Sequence, residues 1–162
     1  GQYRSALAYM LTANIITRRI HRRWVEQTET FLRTKNAADN PRQLVITIDP
    51  SDHCLLIYPA PEFQEIERKL MKLPTFNKSA RRLQRLLVGH AIEVDMDGQG
   101  RILLPPPLRE FAQMNKHAVL IGQGGKFEVW DEVRWNESRE SWLEESDLDQ
   151  MDLPAGLENL SI

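Results

Sequence analysis

Two pairs of short apolar runs, each pair split by a polar turn, constrain this chain more than any other feature. Leu44-Val45-Ile46-Thr47-Ile48 is followed, across Asp49-Pro50-Ser51-Asp52, by Cys54-Leu55-Leu56-Ile57-Tyr58. Ala118-Val119-Leu120-Ile121-Gly122 is likewise followed by Lys126-Phe127-Glu128-Val129-Trp130. Runs of this length, rich in β-branched and aromatic residues and bounded by turn formers, read as β-hairpins. The two pairs correspond. Leu44-Val45-Ile46 maps onto Ala118-Val119-Leu120 at an offset of 74 residues. Tyr58, Pro59 and Phe63 map onto Trp130, Asp131 and Trp135 at an offset of 72, through a second turn two residues shorter. Such an internal duplication predicts two similar halves, pseudo-twofold symmetry and a basis for further oligomerisation.

Each hairpin is followed by a helical pattern. Pro59 and Pro61 close the first hairpin and open a helix near 61–73, with Phe63, Ile66, Leu70 and Leu73 on one stripe and Pro74 as its stop. Asn77 is a good N-cap for a second helix near 77–88, with Gly89 as its C-terminal stop. At 100° per residue, Ala80, Leu83, Leu86 and Leu87 share one side of it and Lys78, Arg81, Arg82 and Arg85 the other. A third helix follows the second hairpin near 131–144. Asp97-Gly98-Gln99-Gly100-Arg101 forms a turn between the short strand from Ile92 and an apolar strand expected to run to Pro105. Asp97 can accept backbone hydrogen bonds there, Gly100 tolerates positive φ, and Arg101 is held at a fixed place. Pro106-Pro107-Leu108 then opens a short helix.

Charge is distributed unevenly. Residues 1–90 hold 15 Lys and Arg against 8 Asp and Glu, and residues 91–162 hold 6 against 15, so a net charge of −2 conceals a basic and an acidic half. That asymmetry suits an anionic partner and self-association. The first 40 residues are the least regular: Ala8-Tyr9-Met10-Leu11 is apolar, four Arg crowd positions 18–23, and Glu26 to Lys35 has helical propensity. The tail from Ser146 is acidic. One cysteine excludes an internal disulfide, and the apolar runs are strand-length, well short of the roughly 20 residues that span a bilayer. No basic-then-apolar leader opens the sequence, so a cytoplasmic address is expected.

Enzyme chemistry finds little support. Cys54 beside His53 at a strand start reads as packing rather than as a nucleophile. His21, His53, His90 and His117 lack metal-ligand spacing, and the Gly-Gln-Gly stretches are too short for a dinucleotide fingerprint. No cofactor, metal or small-molecule substrate is expected. The only acid/base set to consider is Asp95, Asp97 and His90. A duplicated β-hairpin protein with a rigid arginine loop and a basic helix instead fits DNA binding.

Asp97-Gly98-Gln99-Gly100-Arg101-Ile102-Leu103-Leu104-Pro105 carries the D-x-x-G-R-x-x-x-P signature, and from about Gln43 to Trp135 the chain resembles the MraZ family, bacterial regulators of the division and cell-wall gene cluster. Leu44 to Asp49, Cys54 to Pro59, Arg81 to His90 and Lys126 to Asp131 carry the same likeness, in order. The resemblance implies an α+β fold, an AbrB-like swapped-hairpin β-barrel built from two pseudo-repeats with connecting helices. It also implies ring-shaped homo-oligomers whose signature loops contact tandem promoter repeats in double-stranded DNA, in the cytoplasm at the nucleoid and away from membranes. Arg101, Gly100 and Asp97 are then the DNA-binding residues, the alternative for Arg101 being an ion pair with a neighbouring acidic residue, and Arg81, Arg82 and Arg85 are secondary phosphate or subunit contacts. The repeats fall at 1–76 and 77–145, followed by the acidic tail 146–162.

The family carries its signature twice. Near position 23, where the first copy is expected from the hairpin offset, the sequence reads His21-Arg22-Arg23-Trp24-Val25, with no Asp and no Gly. The abrupt onset of likeness near residue 41 points to a frameshift-like origin for residues 1–40, which the nucleotide sequence would decide. A chain without its first loop could be an oligomeric scaffold that has lost specific DNA binding; an enzyme on a related barrel is the weaker alternative.

Overall fold

The computed structural model describes residues 9–12, 43–97, 101–123 and 125–145. Six antiparallel strands form one sheet: β1 (Tyr9–Thr12), β2 (Gln43–Ile48), β3 (Leu55–Pro59), β4 (Ile92–Asp95), β5 (His117–Gln123) and β6 (Lys126–Asp131). Four helices accompany them: α1 (Ala60–Met71), α2 (Lys78–Leu87), α3 (Pro106–Phe111) and α4 (Glu132–Glu145). The chain is thus α+β, and no parallel crossover occurs among the described strands.

The strand order is β1-β5-β6-β3-β2-β4. Ile46 pairs with Ile57 and Val45 with Tyr58 in the first hairpin; Leu120 pairs with Val129 and Val119 with Trp130 in the second, so the two registers correspond at the offsets of 74 and 72. Between the hairpins Leu55 faces Val129, Leu56 faces Glu128 and Ile57 faces Phe127, a pairing symmetric about Leu56 and Glu128. The edges cross over. β4 precedes the second hairpin in sequence but pairs with β2, and β1 precedes the first hairpin but pairs with β5.

β1 and β4 lie at opposite ends of this order, so the sheet is open. The closed swapped-hairpin barrel expected from the resemblance is not formed by these strands. Each edge strand is only four residues long and carries its ladder on one side. The expected strand after the signature turn is also absent: Ile102–Pro105 is extended chain outside the sheet. Its alternation still serves the core, for Ile102 and Leu104 are buried while Leu103 is 72% exposed.

The sheet is covered on both faces, which explains why β2 and β3 read as unbroken apolar runs rather than as alternation. On one face Leu44, Ile46, Ile48, Leu55, Ile57, Leu120 and Val129 meet Met96, Ile102, Leu104, Leu108 and Ala112. On the other, Val45, Leu56 and Tyr58 meet Ala60 and Phe63 of α1, with Ile66 and Leu87 packed beside them. Helix α1 has Pro in its first turn and ends at Met71, two residues earlier than its apolar stripe suggests. The Lys72 N–H closes back on Lys69, and Leu73 is left outside the helix and exposed. Asn77 caps α2 by accepting from the Ala80 N–H at 3.1 Å. Gln84 Nε2 donates to the Leu70 carbonyl at 2.7 Å and the Thr47 hydroxyl to the Leu87 carbonyl at 2.6 Å, fastening α2 to α1 and to β2.

Residues 1–132 form one compact unit and 133–162 another. In the second unit, the Trp135 and Trp142 rings of α4 meet edge to face at 5.9 Å. The suggested helix at 26–35, the arginine cluster at 18–23 and the acidic tail lie outside the described residues.

Candidate nucleic-acid interface

Asp97 organises the signature turn with three contacts to one residue. Its N–H donates to the Arg101 carbonyl at 2.9 Å. Its Oδ1 accepts the Arg101 N–H at 2.9 Å, and its Oδ2 accepts from Arg101 Nε at 2.7 Å. The backbone bond needs no side chain, but the two side-chain contacts use both carboxylate oxygens: one closes the turn on the Arg101 N–H and the other orients the guanidinium. Arg101 stays 47% exposed and Asp97 40%. Nε is the guanidinium nitrogen engaged with Asp97, and the terminal nitrogens have no partner among the described residues, which suits bidentate donation to phosphate or a guanine edge. Gly100, the third residue expected here, lies outside the described residues, as do Gly98 and Gln99.

The second candidate surface is the outer side of α2. Lys78, Arg81, Arg82 and Arg85 are all exposed there, and none enters an ion pair among the described residues. The loop and the helix carry separate basic features, with no described contact between Arg101 and those arginines.

The acid/base set does not assemble. Asp97 is committed to Arg101, and His90 lies at the end of α2 with Nδ1 at 3.0 Å from the Leu86 carbonyl and 3.2 Å from that of Arg85. These are helix-terminal carbonyls in need of a donor, so His90 acts as a cap. Asp95 sits on the edge strand opposite Gln43. Cys54 is wholly buried, and burial pushes its thiol far up, with the Asp49 and Glu128 carboxylates adding to the effect. A thiol held protonated in this way is no nucleophile.

The β1 register relocates the missing first signature. Thr12 and Asp95 occupy equivalent places, facing His117 and Gln43. The sequence standing where the second copy has its turn is therefore Ala13-Asn14-Ile15-Ile16-Thr17-Arg18, rather than the stretch around Arg23. It contains no Asp and no Gly, and it lies outside the described residues.

Fold and site together define a small antiparallel α+β protein that presents an aspartate-anchored arginine turn at the end of an edge strand. The model of the MraZ protein family matches residues 32–86 and again 87–152. A protein of Methylococcus capsulatus named transcriptional regulator MraZ is 59% identical over 110 residues, 68% of this chain and 72% of that protein. One of Halorhodospira halophila with the same name is 54% identical over 120 residues, 74% and 79% of the two chains. One of Legionella pneumophila, again so named, is 47% identical over 133 residues, 82% and 88%. The chain belongs to the MraZ family.

Proposed function

We propose that this protein is a sequence-specific DNA-binding transcription regulator acting on tandem promoter repeats of the division and cell-wall gene cluster. The observation that carries the reading is the Asp97–Arg101 turn, which fixes an exposed guanidinium without consuming its terminal nitrogens. Its relatives' shared name, transcriptional regulator, supports the same role. Arg101 is the base or phosphate contact, Asp97 positions it, and Gly100 lets the turn close. Arg81, Arg82 and Arg85 add phosphate attraction or contact a neighbouring subunit.

In this reading the repeats at 1–76 and 77–145 assemble with other copies into a ring-shaped homo-oligomer, and association completes the AbrB-like barrel that one open sheet leaves unfinished. The protein then works in the cytoplasm, on the nucleoid. Multivalency is central, because one arginine turn per subunit gives a weak contact that a ring multiplies across tandem sites. No catalytic step is assigned.

The Ala13–Arg18 sequence favours a second reading, an oligomeric scaffold without specific DNA binding. Titration against cognate repeats and scrambled duplex at two salt concentrations decides between them. A preference for the repeats that persists at the higher salt supports the regulator. Equal, salt-sensitive binding to both duplexes is phosphate attraction alone. Absence of binding at either salt leaves the scaffold.

A further inference from the structure

One cluster includes none of the residues proposed to contact DNA. Asp49 follows β2, Cys54 precedes β3, and Glu128 lies within β6. One oxygen from each carboxylate and the Cys54 Sγ all lie within 4.8 Å of one another. Cys54 is 0% exposed and Glu128 9%. No hydrogen-bond partner of the thiol occurs among the described residues, and its sulfur lies within 4.8 Å of an oxygen of each carboxylate. Asp49 is held in place by its own turn, its Oδ1 accepting from the Ser51 N–H at 2.7 Å and the Asp52 N–H at 2.8 Å. Its Oδ2 accepts no hydrogen bond among the described residues.

Packing does not ask for the carboxylates. At the centre of the pairing between the hairpins, Glu128 faces Leu56, which its offset of 72 makes its counterpart. A leucine fills that place in one half, and a carboxylate is buried in the other. The counterparts of Asp49 and Cys54 are Gln123 and Lys126, so the duplication supplies the ligand set only once. Burial, and after it the Asp49 charge, raises the Glu128 carboxyl above its ordinary range, with the Trp130 indole opposing. A buried carboxylate and a buried thiol beside a second, half-buried carboxylate call for a shared proton or a cation.

We propose that Asp49, Cys54 and Glu128 form a binding site for a zinc-class divalent cation beside the sheet. The thiol disfavours magnesium and calcium, which take oxygen ligands. Tetrahedral zinc with these donors needs ligand atoms about 3.4–3.6 Å apart, from bond lengths of about 2.1–2.3 Å. The ligand atoms, within 4.8 Å of one another, have to draw in by at most about 1.2–1.4 Å to reach those separations. On binding, Cys54 loses its proton to solvent and the thiolate becomes the ligand. The site ties the first turn to β6, so its role is to lock the two hairpins together. The inference does not depend on DNA recognition.

The test titrates the full chain, stripped with EDTA, with Co2+ and follows thiolate-to-cobalt absorption; Zn2+ then competes, and the thermal midpoint is measured with and without Zn2+. One equivalent is expected to give the absorption band, Zn2+ to abolish it and to raise the midpoint, and Mg2+ to do neither. Cys54→Ser should eliminate the band, and Glu128→Gln should weaken cobalt binding at least about tenfold. Asp49→Asn keeps an acceptor for the turn and should also weaken binding, serving as the second variant if a buried substitution prevents folding. No band and no midpoint shift in the unsubstituted chain overturns the proposal and leaves a shared proton in the cluster. Binding unchanged in the variants overturns it equally.

Discussion

Replacing Asp97 with Asn separates what this residue does for the fold from what it does for Arg101. Asn keeps an oxygen for the Arg101 N–H but places an amide donor against Arg101 Nε, so the turn survives while the guanidinium is released. Both side chains are 40% or more exposed, and an exposed ion pair contributes only about 0.2–1 kcal/mol. The thermal midpoint should therefore fall by no more than a few degrees. Binding responds differently. A loose Arg101 has to be ordered on the DNA, which costs about 0.5–1.5 kcal/mol, or about 2- to 13-fold in affinity for each subunit engaged. Arg101→Ala removes the contact itself, about 1–3 kcal/mol, or about 5- to 160-fold. Fluorescence anisotropy with a duplex of tandem repeats measures both, alongside a circular dichroism melt. The refuting result is specific: Asp97→Asn binding as well as or better than the parent would mean that Asp97 merely repels phosphate. Unchanged binding by Arg101→Ala would remove the turn from the interface altogether.

Three stability predictions follow from the packing. A Cβ at position 89 would lie 2.4 Å from the Arg85 carbonyl oxygen, so Gly89→Ala must shift backbone and should lower urea-unfolding stability by about 1–3 kcal/mol. Thr47→Val deletes the bond to the Leu87 carbonyl in a fully buried position and should cost about 1–3 kcal/mol, with faster hydrogen exchange at the end of α2. Asn77→Ala removes the α2 cap and should cost about 1 kcal/mol in the same assay, whereas Asn77→Asp should restore most of it.

The hairpins, the helix starts and the arginine turn were legible because their causes are local. β-branched runs between turn residues form strands, Pro61 and Asn77 mark helix starts, and an Asp four residues before an Arg can close a loop on it. The same local reasoning extended too far at two places. It carried α1 on to Leu73, although the last turn closes at Lys72 before Pro74. It also made a strand of Ile102–Pro105, where alternation reflects one buried face without any ladder.

Even the glycine after α2 had a different reason from the expected one. Gly89 is required by its close approach to the Arg85 carbonyl, a distance that composition cannot reveal. The offsets of 72 and 74 likewise matched the two hairpins residue for residue but did not show which edge strand joins which hairpin.

The sequence alone therefore determined the two hairpins, most helix starts, the duplication and the chemistry of the Asp97–Arg101 turn, since these rest on local patterns or on their repetition along the chain. Only the tertiary structure decided that β4 pairs with β2, that β1 pairs with β5, and that the sheet stays open. It alone brought Glu128 to Asp49 and Cys54, across 74 residues of chain from Cys54. Strand pairing is chosen by complementary buried faces and available edges, which are properties of the assembled sheet, and no local pattern encodes them.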